Sequence, residues 1–145
     1  MGFRHFAIMT LFALMTGCAT VERPPLTERT YRNSYSFHDL MISWETASNA
    51  ETVTIIGTLK NQSYYYLRDP ELTAVLLGSD GRPLAEGTFF FFPHQLALDE
   101  IAPFTIRIPV KKGEIPYRIR FTYRYRLAEE GMFGFPRFHS FEAQP

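Results

Sequence analysis

At 145 residues the chain is about one domain's worth, and its 15 basic residues balance 15 acidic ones, so net charge gives no ground for a nucleic-acid partner. Aromatics make up 16% of it, carried by 14 Phe and 8 Tyr beside a single Trp, a composition that suits a pleated β surface. One cysteine excludes a disulfide within the chain.

The chain opens MGFRHFAIMTLFALMTGCATVERPP. Arg4 supplies a short positive region, and Phe6 to Met15 form an apolar run of about ten residues. Spanning a bilayer takes about 20, so residues 1–17 read as a signal peptide. A buried core helix fits poorly with a run at the chain start and a polar stretch behind it. Met15-Thr16-Gly17-Cys18 resembles the bacterial lipobox: an apolar residue, a small one, Gly or Ala, then Cys. The resemblance implies a thioether-linked lipid on Cys18, cleavage before it, and acylation (palmitate-type) of the new N-terminus. Two or more chains hold a protein stably on a membrane, whereas one does so only marginally. Ala19, where Asp would favour the inner membrane, implies the outer membrane and its periplasmic face. An ordinary signal peptide cut after Ala19 is the competing reading.

Residues 18–34 are polar with Pro24-Pro25 and read as a lipidated, flexible tether. Extended, it reaches roughly 50 Å at about 3.3 Å per residue. The alternative is a first edge strand joined by Tyr31 and Tyr35. Roughly 110 residues then remain, enough for a core without staples. In DLMISWET, Leu40, Ile42 and Trp44 alternate with Met41, Ser43 and Glu45, the period of a half-buried strand. TVTIIGTLKN alternates likewise through Val53, Ile55, Gly57 and Leu59. ELTAVLL is a strand running into Ser79-Asp80-Gly81, a hairpin signal, and AEGTFFFF follows, stopped by Pro93. PFTIRIPV alternates Phe104, Ile106 and Ile108 against Thr105 and Arg107. The longest alternation is IPYRIRFTYRYRL, with Tyr117, Ile119, Phe121, Tyr123, Tyr125 and Leu127 expected inward. Helical periodicity is absent after the leader. About seven short strands with turns every 8–12 residues predict an all-β, antiparallel immunoglobulin-like β-sandwich over residues 35–127, followed by an aromatic-rich tail, 128–145.

Three stretches carry a family resemblance. IIGTLKNQS has Gly57, Leu59, Asn61 and Ser63 in an apolar-x-Gly-x-apolar-x-Asn-x-Ser pattern. LTAVLLGSDGRPL matches a strand and Asp-Gly hairpin, and LALDEIAPFTIRIP matches a later turn and strand. Together they resemble the FxLYD-type domains of bacterial envelope lipoproteins, immunoglobulin-like or fibronectin-like sandwiches. Ala74, Leu76, Leu77 and Gly78 stand where the name-giving Phe, Leu, Tyr and Asp belong, and Asp99-Glu100 replaces the usual Gly-Glu. The resemblance covers roughly Phe37 to Leu127 and implies an adhesive or accessory role, with no catalytic residues and no cofactor.

His38, His94 and His139 lack metal-ligand spacing, and His38-Asp39 is expected on opposite faces of a strand. No G-x-S-x-G, phosphate loop or nucleophilic Cys occurs, so an enzyme is not expected. Three features offer binding. Arg118, Arg120, Arg124 and Arg126 share one strand face over about 25 Å and form a candidate anionic-ligand surface; cross-strand acids on a solvated face are the plainer explanation. Tyr64, Tyr65 and Tyr66 cannot all face inward, so at least one is an exposed candidate interface aromatic. In the tail, Phe133, Phe135 and Phe138 are further candidates, whether the tail folds back on the sandwich or docks on a partner. Two of Phe89 to Phe92 must face away from the core, and the tail is the expected cover. The function expected is a membrane-anchored, non-catalytic binding or accessory subunit with an envelope protein partner and no nucleic acid. The alternative is direct binding of an anionic envelope glycolipid or polymer by the Arg face.

Overall fold

The computed structural model describes residues 30–131 and 134–145. Cys18, with the whole expected signal peptide, and Phe133 lie outside the described residues. The protein is an antiparallel, immunoglobulin-like β-sandwich of two sheets. Its strands are β1 Asn33–Phe37, β2 Leu40–Ser48, β3 Thr52–Asn61, β4 Leu67–Leu77, β5 Pro83–Phe90, β6 Gln95–Leu96, β7 Ile101–Pro109, β8 Arg118–Leu127 and β9 Arg137–Ala143. One sheet has the order β1-β2-β3-β7; the other has β5-β4-β8-β9, with β6 also paired to β4. Among the described residues there are nine strands rather than about seven. Among the additions, β1 starts within the segment assigned to the tether, and β9 is the tail folded back along β8.

Alternation sets which side chains fill the space between the sheets. Leu40, Ile42 and Trp44 from β2, Val53, Ile55 and Leu59 from β3, and Ile119, Phe121, Tyr123, Tyr125 and Leu127 from β8 are all buried. Each such side chain removed from water contributes about 1.5–3 kcal/mol. Gly57 interrupts the β3 series for a steric reason. It lies opposite Trp44 on β2 and Phe104 on β7, and a Cβ there would meet the Ser43 carbonyl oxygen and come within 2.6 Å of the Phe104 ring. The missing side chain is the space that the phenylalanine ring occupies.

Along one side of the sandwich the two edge strands β1 and β9 close on each other through rings. Tyr35 stacks on Phe141 at 3.8 Å, and Phe37 on His139 at 3.8 Å. Phe141 in turn packs on Phe121 and Trp44. The Tyr35 hydroxyl hydrogen-bonds His139 Nε2 at 2.8 Å.

Three expectations of the sequence change. Tyr117 is exposed and precedes β8, because its amide is spent on the Leu77 carbonyl in the approach to the strand; the Arg118 guanidinium lies over its ring. His38 and Asp39 form the β1–β2 turn rather than facing opposite ways along a strand. Phe90 and Phe92 are not covered by the tail. Phe91 enters the core, but Phe90 and Phe92 stay 68% and 84% exposed, since β9 is committed to the edge of β8.

Gly57→Ala forces a methyl into backbone and ring, so it is expected to cost about 1–3 kcal/mol, read as a lowered urea midpoint. A variant with unchanged stability would show that the Phe104 ring has another place to go.

Candidate functional site

Four connections meet at one end of the sandwich: the β1–β2 turn, the β3–β4 loop, the run from Phe91 to Glu100, and the described residues that follow β8 and precede β9 (128–131 and 134–136). Cross-links between them show that they share this end. The Gln62 amide donates to the Asp39 carbonyl, the Asn61 amide to Glu100, the Asp69 amide to His94, and the Ala128 amide to Tyr66. Among the described residues, nearly all exposed large apolar side chains gather here. Tyr64, Tyr65 and Tyr66 are all exposed, as are Phe90, Phe92, Leu98, Phe135 and Phe138. At the opposite end, where the described chain leads into β1 and β9 runs out, Ile115 and Tyr117 alone among the described residues are comparable.

A buried polar knot holds this end. Asn61, fully buried, donates through Nδ2 to the carbonyls of Tyr65 (2.8 Å) and Leu96 (2.9 Å). Its Oδ1 accepts from the amide and the hydroxyl of Ser63 at 2.9 and 2.8 Å. All four hydrogen-bonding positions of the amide are used. The Asn-x-Ser pattern in the sequence is therefore structural: it fixes the loop that carries the three tyrosines to β6 of the other sheet.

Backbone conformation separates the two ends as well. The left-handed turn positions of the opposite end are glycines, Gly81 (φ 78°) and Gly113 (φ 90°). The aromatic end has Gly131, but it also holds His38 (φ 48°), Asp69 (φ 48°) and Asp99 (φ 58°) in this region. A non-glycine residue there costs on the order of 1–3 kcal/mol, and such residues cluster where a side chain is needed. Asp99 thus places a carboxylate on a backbone shape that glycine adopts without strain.

The arginine face is charge-matched. Arg118 and Arg120 both reach Glu142 (3.2 and 2.9 Å), Arg124 reaches Glu71 (3.0 Å) and Arg126 reaches Asp69 (3.5 Å). Arg120 first, then Arg118, hold the Glu142 carboxyl below its usual range. Four guanidiniums thus face three carboxylates, which is the cross-strand arrangement of a solvated sheet face. Water screens such exposed pairs, so they add little to stability.

A second polar group was not legible in the sequence. Asp39 Oδ2 accepts a hydrogen bond from the Tyr125 hydroxyl and lies 3.6 Å from Arg137, which also bonds Glu130 at 2.9 Å. The Tyr123 hydroxyl donates to the Phe37 carbonyl at 3.3 Å. Burial, with the nearby Tyr35 and Asp39, pushes the Tyr123 phenol up to about 12. Tyr125 is raised too, by burial and then by Asp39. His139, in the β1–β9 seam, and His38, on its turn, both pack against the Phe37 ring, whereas His94 lies near Asp69. Among the described residues no three potential ligands gather to hold a metal.

No protein-family model and no curated protein matches the chain. Among solved structures, it is similar to a β-glucuronidase of glycoside hydrolase family 2, at 10% identity and a TM-score of 0.39. That match spans 70% of this chain and only 11% of the glucuronidase. The yeast GGA1 GAE domain is similar at 11% identity and a TM-score of 0.44, over 79% of this chain and 99% of that one. An Arabidopsis thaliana protein solved in solution is similar at 15% identity and a TM-score of 0.37, over 77% of this chain and 81% of that one. The two-sheet sandwich stands on the chain's own strand pairing.

Two outcomes follow from the buried polar groups. Asn61→Ala takes from the Leu96 carbonyl and the Ser63 amide the partner that Asn61 gives them, leaving the Ser63 hydroxyl on the Tyr65 carbonyl, and is expected to cost about 1–3 kcal/mol. Hydrogen exchange at Tyr65 and Tyr66 should quicken with it; unchanged exchange would show that the knot does not hold the loop. The raised tyrosines set an alkaline limit. Their protonated forms are favoured in the folded state, so this stability is complete below pH 10 and drains as pH climbs from 10 towards 12. For Tyr123 the loss approaches about 2–3 kcal/mol, measured by urea unfolding against pH, and Tyr123→Phe should flatten the decline.

Proposed function

We propose that this chain is a lipid-anchored module of a bacterial envelope that works by binding a protein partner rather than by catalysis. Cys18 carries the lipid, residues 18–32 form the tether, and the sandwich faces the periplasm from the outer membrane. What carries the reading is the concentration of exposed aromatics at one end, opposite the end from which the chain leads into β1. A tether on one side leaves the other side free to meet a partner. Anchoring also raises the local concentration of the module for anything held near the same membrane.

Several physical features support contact through this end. Tyr64, Tyr66, Phe92 and Phe135 are the residue types that anchor protein interfaces. Tyr64 and Tyr66 are displayed on a loop fixed by Asn61, so little conformational freedom is lost there on docking. The arginine face is a weaker candidate, because each guanidinium already faces an acid across a strand.

Crosslinking in the native envelope, then mild-detergent capture of the lipidated protein, tests this. A stoichiometric protein that stays bound at high salt, and is lost in the Tyr64→Ser/Tyr66→Ser/Phe92→Ser variant and in the Cys18→Ala control, is the expected result. Recovery of lipid or glycan alone, released as salt rises and lost on Arg120→Glu, would sink the reading and favour the arginine face.

A further inference from the structure

Beside the aromatic surface, between the β1–β2 turn and the start of β9, lies a hollow of about 240 Å³. Its lining includes Phe37, Asp39, Tyr123, Tyr125, Arg137 and Phe138. We propose that this hollow binds one uncharged sugar ring, either free or as the end of a glycan.

Size limits the ligand first. Small-molecule sites usually enclose about 300–1,000 Å³, so this one holds a single ring rather than a polymer. Charge limits it next. Arg137 lies between Asp39 and Glu130, so a charged ligand would have to compete with a pair already made. A neutral ligand that both donates and accepts would not.

Unused hydrogen-bonding capacity points the same way. Tyr125 and Arg137 both approach Asp39 through Oδ2, and Oδ1 has no partner among the described residues. A carboxylate offers about four acceptor sites, so hydroxyl donors have a place to go. Arg137 has five N–H groups, of which one is hydrogen-bonded, to Glu130. The ring of His38 packs edge-on against Phe37 and makes no hydrogen bond among the described residues. It is held at the rim by a left-handed backbone, φ 48°, that glycine would adopt at lower cost. Beside these polar groups stands the 75% exposed ring of Phe138. A flat apolar surface flanked by a carboxylate, a guanidinium and an imidazole matches the two characters of a sugar: C–H groups on its face, hydroxyls around its edge.

This site is separate from the protein-docking reading and does not depend on it. The test is an NMR titration of the full mature chain in a detergent without a sugar headgroup. The probes are glucose, galactose and N-acetylglucosamine, with glucosamine and galacturonate as charged counterparts. Saturable amide shifts at Asp39, Phe138 and His139 from at least one neutral sugar are expected, with a Kd on the order of 1–10 mM. Asp39→Asn and Phe138→Ala should each weaken binding about tenfold or more. Phe138→Ala removes only an exposed ring, so it remains informative if Asp39→Asn loosens the turn. The Tyr64→Ser/Tyr66→Ser/Phe92→Ser variant should bind sugar as the parent does, which separates this site from the protein-docking surface. No saturable shift from any neutral sugar, shifts from the charged counterparts alone, or sugar binding indifferent to Phe138→Ala would overturn the proposal.

Discussion

The side-chain amide of Asn61 is the constraint on which the aromatic end depends. It belongs to one sheet, yet it binds the Leu96 carbonyl of the other and closes the loop that crosses between them. Buried without partners, such an amide would cost several kcal/mol; fully bonded, it fixes one loop geometry and penalises the others. The exposed tyrosines on either side of this knot are therefore presented by a rigid support. Leu67, the first residue of β4, is buried immediately after them and pairs with both Leu96 and Leu127. Hydrophobic burial thus begins where the polar knot ends.

Electrostatics plays a different part on the two faces of β8. Outward, four arginines meet acids across both neighbouring strands, and the outcome is near neutrality on a wet surface. Inward, Tyr123 and Tyr125 carry hydroxyls into the sandwich and must find acceptors there. They find the carbonyl of Phe37, the last residue of β1, and the carboxylate of Asp39 on the turn that follows it. One strand thereby ties together its own sheet, the opposite sheet and the turn that borders the hollow.

Alternation made most of the sandwich legible in the sequence. β2, β3, β4, β7 and β8 are where period two placed them, because each has one dry and one wet face. β1 and β9 were harder to place. Both are short edge strands whose inward residues are aromatic and only partly buried, so neither shows a clean contrast between faces. Tyr117 misled for the opposite reason: it continues the alternation one residue ahead of Arg118, where β8 begins. The exposed tyrosines could be anticipated from the impossibility of burying three in a row. The group of Asp39, Tyr125 and Arg137 could not, since its members come from three distant segments and only folding brings them together.

The β1–β9 seam has a kinetic consequence. Tyr35 and His139, which meet across it, are 104 residues apart in sequence. Contacts between such distant residues form slowly, because the entropy of closing the intervening chain must be lost before they return anything. A chain synthesised from its N-terminus has β1 first and β9 last. Until β9 arrives, the outer edge of β8 lacks its partner strand, and Phe121 and Trp44 lack the Phe141 ring that packs against them. An unpaired edge beside aromatic side chains is the kind of surface that draws other chains into aggregates. The arrival of β9 therefore governs the interval over which the newly made chain is vulnerable.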